Sequence, residues 1–291
     1  MGPYVRRVLV VAAVAVVLLG ACGGGGGKKK VAKASSVTTE TSTTIASTTT
    51  TAAGGGTATT TGSKKTPSPT GAARINGTPS NNYQPPAGST PAKPAAPATY
   101  KFDTSGATSF GAQTSKPPPV TTLRVDPPAG TRQHSARDDR DASGNGSVTE
   151  TTLDFQPQGV LLVELKITTK AIGITDVEDF VANPPALVAP TGAKPGDHLE
   201  FDLSGSGTNV HVNIDIQRHE TLTIGGQSTD TLLSHQTATL SGKLAGTTTS
   251  DSWLSPQYDL VVKDHTVSDL TAYGARAHSD ITSQLQRLTP G

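Results

Sequence analysis

The sequence predicts a mostly β protein, in which an antiparallel sheet forms a sandwich or a partly closed barrel behind a long disordered N-terminal linker. Three observations lead to this class. From about Val120 onward apolar residues recur at every second position, short Gly/Ser turn signals separate these runs, and the first third of the chain shows neither pattern. Regularly spaced short strands of this kind suit a sandwich or barrel.

Taken in order, the strands read as follows. In Gly159 to Thr169, Leu161, Val163, Leu165 and Ile167 point one way, while Leu162, Glu164, Lys166 and Thr168 point the other. His198 to Leu203 alternates in the same way, a turn follows at Ser204 to Gly207, and Val210, Val212, Ile214 and Ile216 resume the apolar face as the second arm of an antiparallel hairpin. Glu220 to Ile224 leads through a Gly225-Gly226 turn into a β run from Thr231 to Leu244. Ser252 to Leu254, a turn at Ser255-Pro256-Gln257, and Leu260 to Lys263 continue the series. From Tyr273 to Leu288 both periods fit, and the longer alternation through Ala275, Ala277, Ser279 and Ile281 favours a strand. One short helix is expected at Thr175 to Ala182, where Asp176 and Glu178 would suit a helix N-terminus and Pro184-Pro185 would end it.

The stretch from Glu220 to Lys263, ETLTIGGQSTDTLLSHQTATLSG followed after a few residues by DSWLSPQYDLVVKDH, resembles a strand-turn-strand segment of uncharacterised β-rich envelope proteins. That resemblance implies a curved antiparallel sheet and no activity. Trp253 within it reads as a packing residue, with ligand stacking as the alternative.

Residues 22–119 are expected to be a disordered tether. They run through Gly23 to Gly27, Lys28 to Lys30, Thr/Ser tracts and Pro/Ala/Lys stretches, and their large apolar residues follow no period. Burial there cannot offset the entropy of ordering the backbone. A flexible coil of this length spans about 55 Å and a fully extended polyproline-like chain nearly 300 Å, which is a stalk's reach. Such a Thr/Pro-rich stalk is similar to those of actinobacterial lipoproteins, a likeness that implies O-linked sugars as an option. Lys28 to Lys30 could touch anionic headgroups or stand simply solvated. The β-rich extracytoplasmic domain is assigned to 120–291.

Ahead of the tether, Arg6-Arg7 precede an apolar run from Val8 to Leu19, too short for a membrane span of roughly 20 residues but within the range of a signal peptide. It ends in Leu19-Gly20-Ala21-Cys22, and Cys22 is the single cysteine of the 291 residues. This resembles the lipobox of bacterial lipoproteins, of an actinobacterial type. The resemblance implies cleavage after residue 21, a diacylglycerol on the Cys22 sulfur, often a further fatty acyl group such as palmitate, and a place on the outer face of the cell membrane. Acylation would also remove a thiol that has no partner in an oxidising compartment.

For chemistry in the folded part, the sharpest spacing is Asp139, Asp141, Ser143, Gly144 and Glu150, which matches positions 1, 3, 5, 6 and 12 of a calcium loop. Against it stand Arg140, the Gly146 that replaces an apolar residue, and the lack of flanking helices. A polar hairpin loop accounts for the same residues. Six histidines have polar neighbours, but His211 and His219 lie about 26 Å apart along one strand, too far for one metal. A cross-strand site joining His198 to the Asp215 side is the remaining option beside a plain solvated sheet face. No Gly-x-Ser-x-Gly elbow is present, aromatic residues are 4% of the chain, and the formal net charge of +1 leaves no basic stripe, which argues against nucleic acid as a partner.

The expected function is therefore a lipid-anchored, non-enzymatic extracytoplasmic binding or envelope-assembly module without a required cofactor, whose partners are the membrane through Cys22 and a cell-wall, lipid or protein ligand. A carrier of a lipid or other hydrophobic ligand in an apolar cavity is one alternative, and an envelope hydrolase another.

Overall fold

The computed structural model describes residues 72–78, 82–111, 113–171, 174–272 and 275–289. The signal segment, Cys22 and the tether as far as residue 71 lie outside these. Fourteen strands make one sheet: β1 (Arg74–Asn76), β2 (Ala98–Phe110), β3 (Gln113–Ser115), β4 (Val120–Val125), β5 (Arg132–Asp138), β6 (Gly146–Gln156), β7 (Gly159–Ala171), β8 (Ile174–Pro190), β9 (His198–Gly205), β10 (Thr208–Ile224), β11 (Gln227–Gly242), β12 (Leu244–Ser255), β13 (Leu260–Ala272) and β14 (Ala275–Leu285). The order across it is β1-β9-β10-β11-β12-β13-β14-β2-β4-β5-β6-β7-β8, with β3 paired to β2 off this path. All pairings are antiparallel except β1 with β9.

The sheet is nearly closed into a barrel, and β1 sits at the seam. Gly77 N–H donates to the Glu200 carbonyl at 2.7 Å, and Leu187 N–H donates to the Gly77 carbonyl at 3.0 Å, so the chain just after β1 bridges β9 and β8. Lower along the seam, Asp179 N–H donates to Ser206 Oγ at 2.8 Å. Closure of this kind leaves no long unpaired edge.

The expected β9–β10 hairpin forms about Ser206 and Gly207, both with positive φ, and β10 meets β11 at Gly225-Gly226 with φ of 55° and 81°. Two left-handed central residues are what a tight hairpin requires. The C-terminal segment is a strand, β14, paired with both β13 and β2.

Three expectations need correcting. The helix at 175–182 is part of β8, where Glu178, Phe180 and Ala182 are buried at alternate positions. Its acidic residues do not cap a helix, since Lys243 Nζ reaches Glu178 Oε1 at 2.5 Å and Asp176 Oδ1 at 3.3 Å. Pro184-Pro185 fall where the β7–β8 register jumps from Glu164↔Val181 to Leu162↔Ala186, a bulge that asks for no N–H from them.

The domain boundary at 120 is also too late. β2 lies in the stretch read as tether, where Tyr100 and Phe102 are buried and alternate with Lys101 and Asp103. That two-residue signal is short and set among Pro, Ser and Gly, so composition hid it. Finally, register shifts in β7 bury Leu162 completely and leave Val163 only half-buried, interrupting an alternation that Leu161, Leu165 and Ile167 otherwise keep.

Two apolar clusters fill the barrel. The larger gathers Leu165, Phe180, Phe201, Val212 and Ile214 from β7 to β10, and the smaller gathers Tyr100, Phe102, Val262 and Leu285 from β2, β13 and β14. Beside them the inward faces of β12 and β13 carry hydroxyls that pair across the ladder, Thr248 with Ser268 and Ser250 with Thr266, each at 3.0 Å.

Candidate functional site

At one end of the barrel, β4 turns to β5, β6 to β7, β8 to β9, β10 to β11 and β12 to β13. Residues 82–97 cross this end as a strap. Tyr83 Oη donates to the Thr191 carbonyl at 2.8 Å, and Ala92 packs on the larger cluster. Ala95 is held on both sides by one side chain: its N–H donates to Gln133 Oε1 at 2.9 Å, and Gln133 Nε2 donates to its carbonyl at 2.8 Å. Gln133 Nε2 also reaches the Asp126 carbonyl at 3.0 Å. A Pro-rich strap cannot pair as a strand, so one buried glutamine amide supplies the matched donor and acceptor a strand partner would have given.

Beneath Ala95 lies a cavity of about 80 Å³, partly open, with Phe102, Leu123, Val125, Leu153, Phe155 and Leu260 in its walls. Its polar lining is Gln133, Ser135, Arg137, Thr149, Asp259 and Asp264. Arg137 and Asp264, both buried, form its floor. Arg137 Nη1 donates to Asp264 Oδ2 at 3.1 Å, Nε to Asp139 Oδ1 at 3.1 Å, and Nη2 to Ser283 Oγ at 2.6 Å, while the guanidinium stands 5.2 Å from the centre of the Phe102 ring.

Burial opposes the Arg137 charge, but Asp139 and Asp264 outweigh it and raise its pKa. Burial pushes the Asp264 carboxyl up from its ordinary value, against the pull of Arg137. Nearer the mouth, burial pushes Asp259 up to about 6, with the Lys93 backbone N–H and charge pulling the other way. Asp264 Oδ1 and Thr149 Oγ1 are buried and have no hydrogen-bond partner. Unpartnered polar atoms of this kind are rare in folded proteins and call for an explanation.

The calcium-loop residues do not converge. Asp139 is engaged by Arg137. Asp141 Oδ1 closes a local turn, accepting from Ser143 N at 2.8 Å, Ser143 Oγ at 2.6 Å and Asn145 N at 3.0 Å, and these bonds lower its pKa. Glu150 is carried into β6, where its Oε2 lies 3.3 Å from Lys166 Nζ. Among the described residues no three His, Cys, Asp or Glu side chains gather to hold a metal.

On the outer face, histidines pair with aspartates of adjacent strands: His198 with Asp215 at 2.8 Å, His235 with Asp251 at 2.7 Å, and His265 with Asp280 at 2.9 Å. Asp215 is in register with His235, and Asp251 with His265, so the three pairs form one row across six strands. Outside this row, His211 pairs with Asp202 at 2.7 Å and His278 with Asp269 at 2.8 Å. Trp253 acts in packing. Its Nε1 donates to Glu220 Oε2 at 2.6 Å and Lys263 covers the ring at 4.5 Å.

Sequence reading missed Arg137, Thr149 and Asp264. Asp264 had a legible sign, because it shares strand parity with Val262 and Leu270 on an otherwise inward face. Arg137 had none, since β5 (RQHSARD) is polar at almost every position.

No family model matches the chain, and no curated protein does. Among solved structures the chain is similar to a protein of Parabacteroides distasonis ATCC 8503 provisionally named a lipoprotein, with 11% identity and a TM-score of 0.36 over 67% of this chain and 96% of that one.

Proposed function

We propose that the chain is a lipid-anchored, non-enzymatic binding module of the extracytoplasmic envelope, whose barrel takes a small ligand beneath the strap. The observation that carries this reading is the partly open cavity of about 80 Å³ itself, with apolar walls and the buried Arg137–Asp264 pair in its lining. A small ligand suits the site better than a whole lipid, because about 80 Å³ is well below the roughly 300 Å³ at which drug-sized ligand pockets begin. The absence of His and Cys from the lining supports a non-enzymatic role, and the carboxylate at the floor is tied to Arg137 and so poorly placed to act as a base.

The anchor is carried by Leu19-Gly20-Ala21-Cys22. Metabolic labelling with palmitate in the bacterial host should mark the chain, and Cys22→Ala should abolish the label and move the protein to the soluble fraction. Membrane retention of that variant would refute the anchor. For the binding role, native mass spectrometry of the chain extracted from membranes should show a bound small molecule that is lost when Ser135→Phe fills the cavity. An unliganded wild-type spectrum, with no small molecule able to shift its melting, would defeat it.

A further inference from the structure

We infer that the outer face of the barrel carries a second binding site, a groove beside the seam that takes a short neutral saccharide. The groove and the strap cavity share no lining residue, so either site can stand without the other.

The groove encloses about 620 Å³, within the roughly 300–1,000 Å³ of ligand pockets. Register builds its floor. Asp202 of β9, His211 of β10 and Thr239 of β11 stand directly opposite one another, and Ser204, Asn209 and Ser241 form the next row on the same face. All six are exposed and alternate with buried Leu203, Val210 and Leu240, so their side chains point outward. The wall is β8. Its residues 182–185 fall opposite Val163 of β7, and this bulge leaves Asn183 and Pro184 exposed beside the floor. Val181 on the same wall is 57% exposed, the most of any large apolar side chain among the described residues. Thr78 also borders the groove, its Oγ1 accepting from the Asp202 N–H at 3.1 Å.

Charge narrows the ligand first. Among the described residues that line the groove, Asp202 and His211 are the ionisable ones, and they bond each other, Oδ1 to Nδ1 at 2.7 Å. No lysine or arginine stands with them to hold a phosphate or carboxylate, and the Asp202 carboxylate, 66% exposed, is too well solvated to capture a cation on its own. The other polar groups are four hydroxyls and two primary amides, each of which both donates and accepts. A sugar hydroxyl does the same, so a polyhydroxylated ring can pair with them in either sense, whereas a hydrocarbon would desolvate them without return. Val181 and Pro184 give the C–H face of such a ring an apolar wall. The two rows cover roughly 10 Å across the strands and 7 Å along them, room for about two rings.

The test is saturation-transfer difference NMR on the full chain in phosphatidylcholine nanodiscs, with empty nanodiscs as blank. Maltose, cellobiose, lactose and sucrose are titrated, and glucose, glucosamine and glucuronate form a series matched in size and differing in charge. At least one disaccharide should bind saturably, and glucose should bind more weakly than it but at least about threefold tighter than either charged sugar. Asn209→Leu should weaken the disaccharide at least about tenfold and Thr239→Val at least about threefold, with wild-type circular dichroism, while Ser135→Phe in the strap cavity changes nothing. Should Asn209→Leu fail to fold, Thr239→Val and the sugar series decide. Binding that the groove variants leave intact overturns the site, and its loss in Ser135→Phe would place the sugar under the strap instead. Preference for glucosamine or glucuronate overturns the neutral assignment. Silence of all four disaccharides overturns the proposal and leaves the strap-cavity reading untouched.

Discussion

At the turn from β12 to β13, Asp259 stands in the left-handed region with φ 51°, half-buried beside the strap. Its pKa rises from 3.8 to about 6 on folding, so between those values the folded chain holds more protons than the unfolded one. Stability from this group is therefore greatest below pH 3.8 and falls as pH rises through 6. Solvent screening at a half-exposed carboxyl reduces the effect to the order of 1 kcal/mol. Asp259→Asn keeps a side chain that tolerates positive φ. It should raise the melting midpoint by about 2–4 °C at pH 7.5 and leave it unchanged at pH 3.5. Equal midpoints at both pH values would show that the carboxyl is not desolvated. The histidines teach a contrasting lesson about residues. Parity placed His198, His211 and His219 on the outer face, and the His198–Asp215 pairing was legible from the hairpin, but the row through Asp251 and Asp280 needed the order of six strands, which one sequence does not contain.

Among the elements, the strap is the least like its sequence. Nothing in Pro91-Ala92-Lys93-Pro94 predicts order, because its fixing groups are distant: Gln133 on β5, and the Thr191 carbonyl after β8. Gln133→Leu preserves volume but leaves the Ala95 N–H and carbonyl without partners, at about 1–3 kcal/mol. The expected result is a melting midpoint several degrees lower and faster hydrogen exchange in peptides covering 82–97, with β12 and β13 unaffected. Unchanged exchange in the strap would mean that Gln133 does not hold it. β8 makes the complementary point. Its acidic residues and prolines carry a helix-start and helix-stop pattern, yet the need of β7 for a partner and of Lys243 for a counter-charge overrode that local signal.

For the molecule as a whole, alternation and turn spacing were sufficient for the class, mostly β and closed or nearly so, whereas closure itself depends on β1 and β2, which carry the weakest sequence signals. β2 joins β14 to β4 and so holds the two halves of the sheet together. A fragment covering 120–291 should accordingly be aggregated or unfolded, while one covering 72–291 should melt cooperatively. Differential scanning calorimetry of the two distinguishes them, and a cooperative transition in the shorter fragment would show that the barrel closes without its first three strands.

The seam also has a mechanical meaning. Within the described residues, a pull from the N-terminal side loads first the three β1 residues, Arg74 to Asn76, against His198 to Glu200. Behind them in the chain stand the strap and then β2. Tension sufficient to draw β1 from its slot would next drag on Tyr83 at the Thr191 carbonyl and then on Ala95 and its glutamine clasp, uncovering the cavity before any of the long strands is disturbed. The three-residue β1 is thus the barrel's fuse, wired in series with the cover of the cavity floored by Arg137 and Asp264.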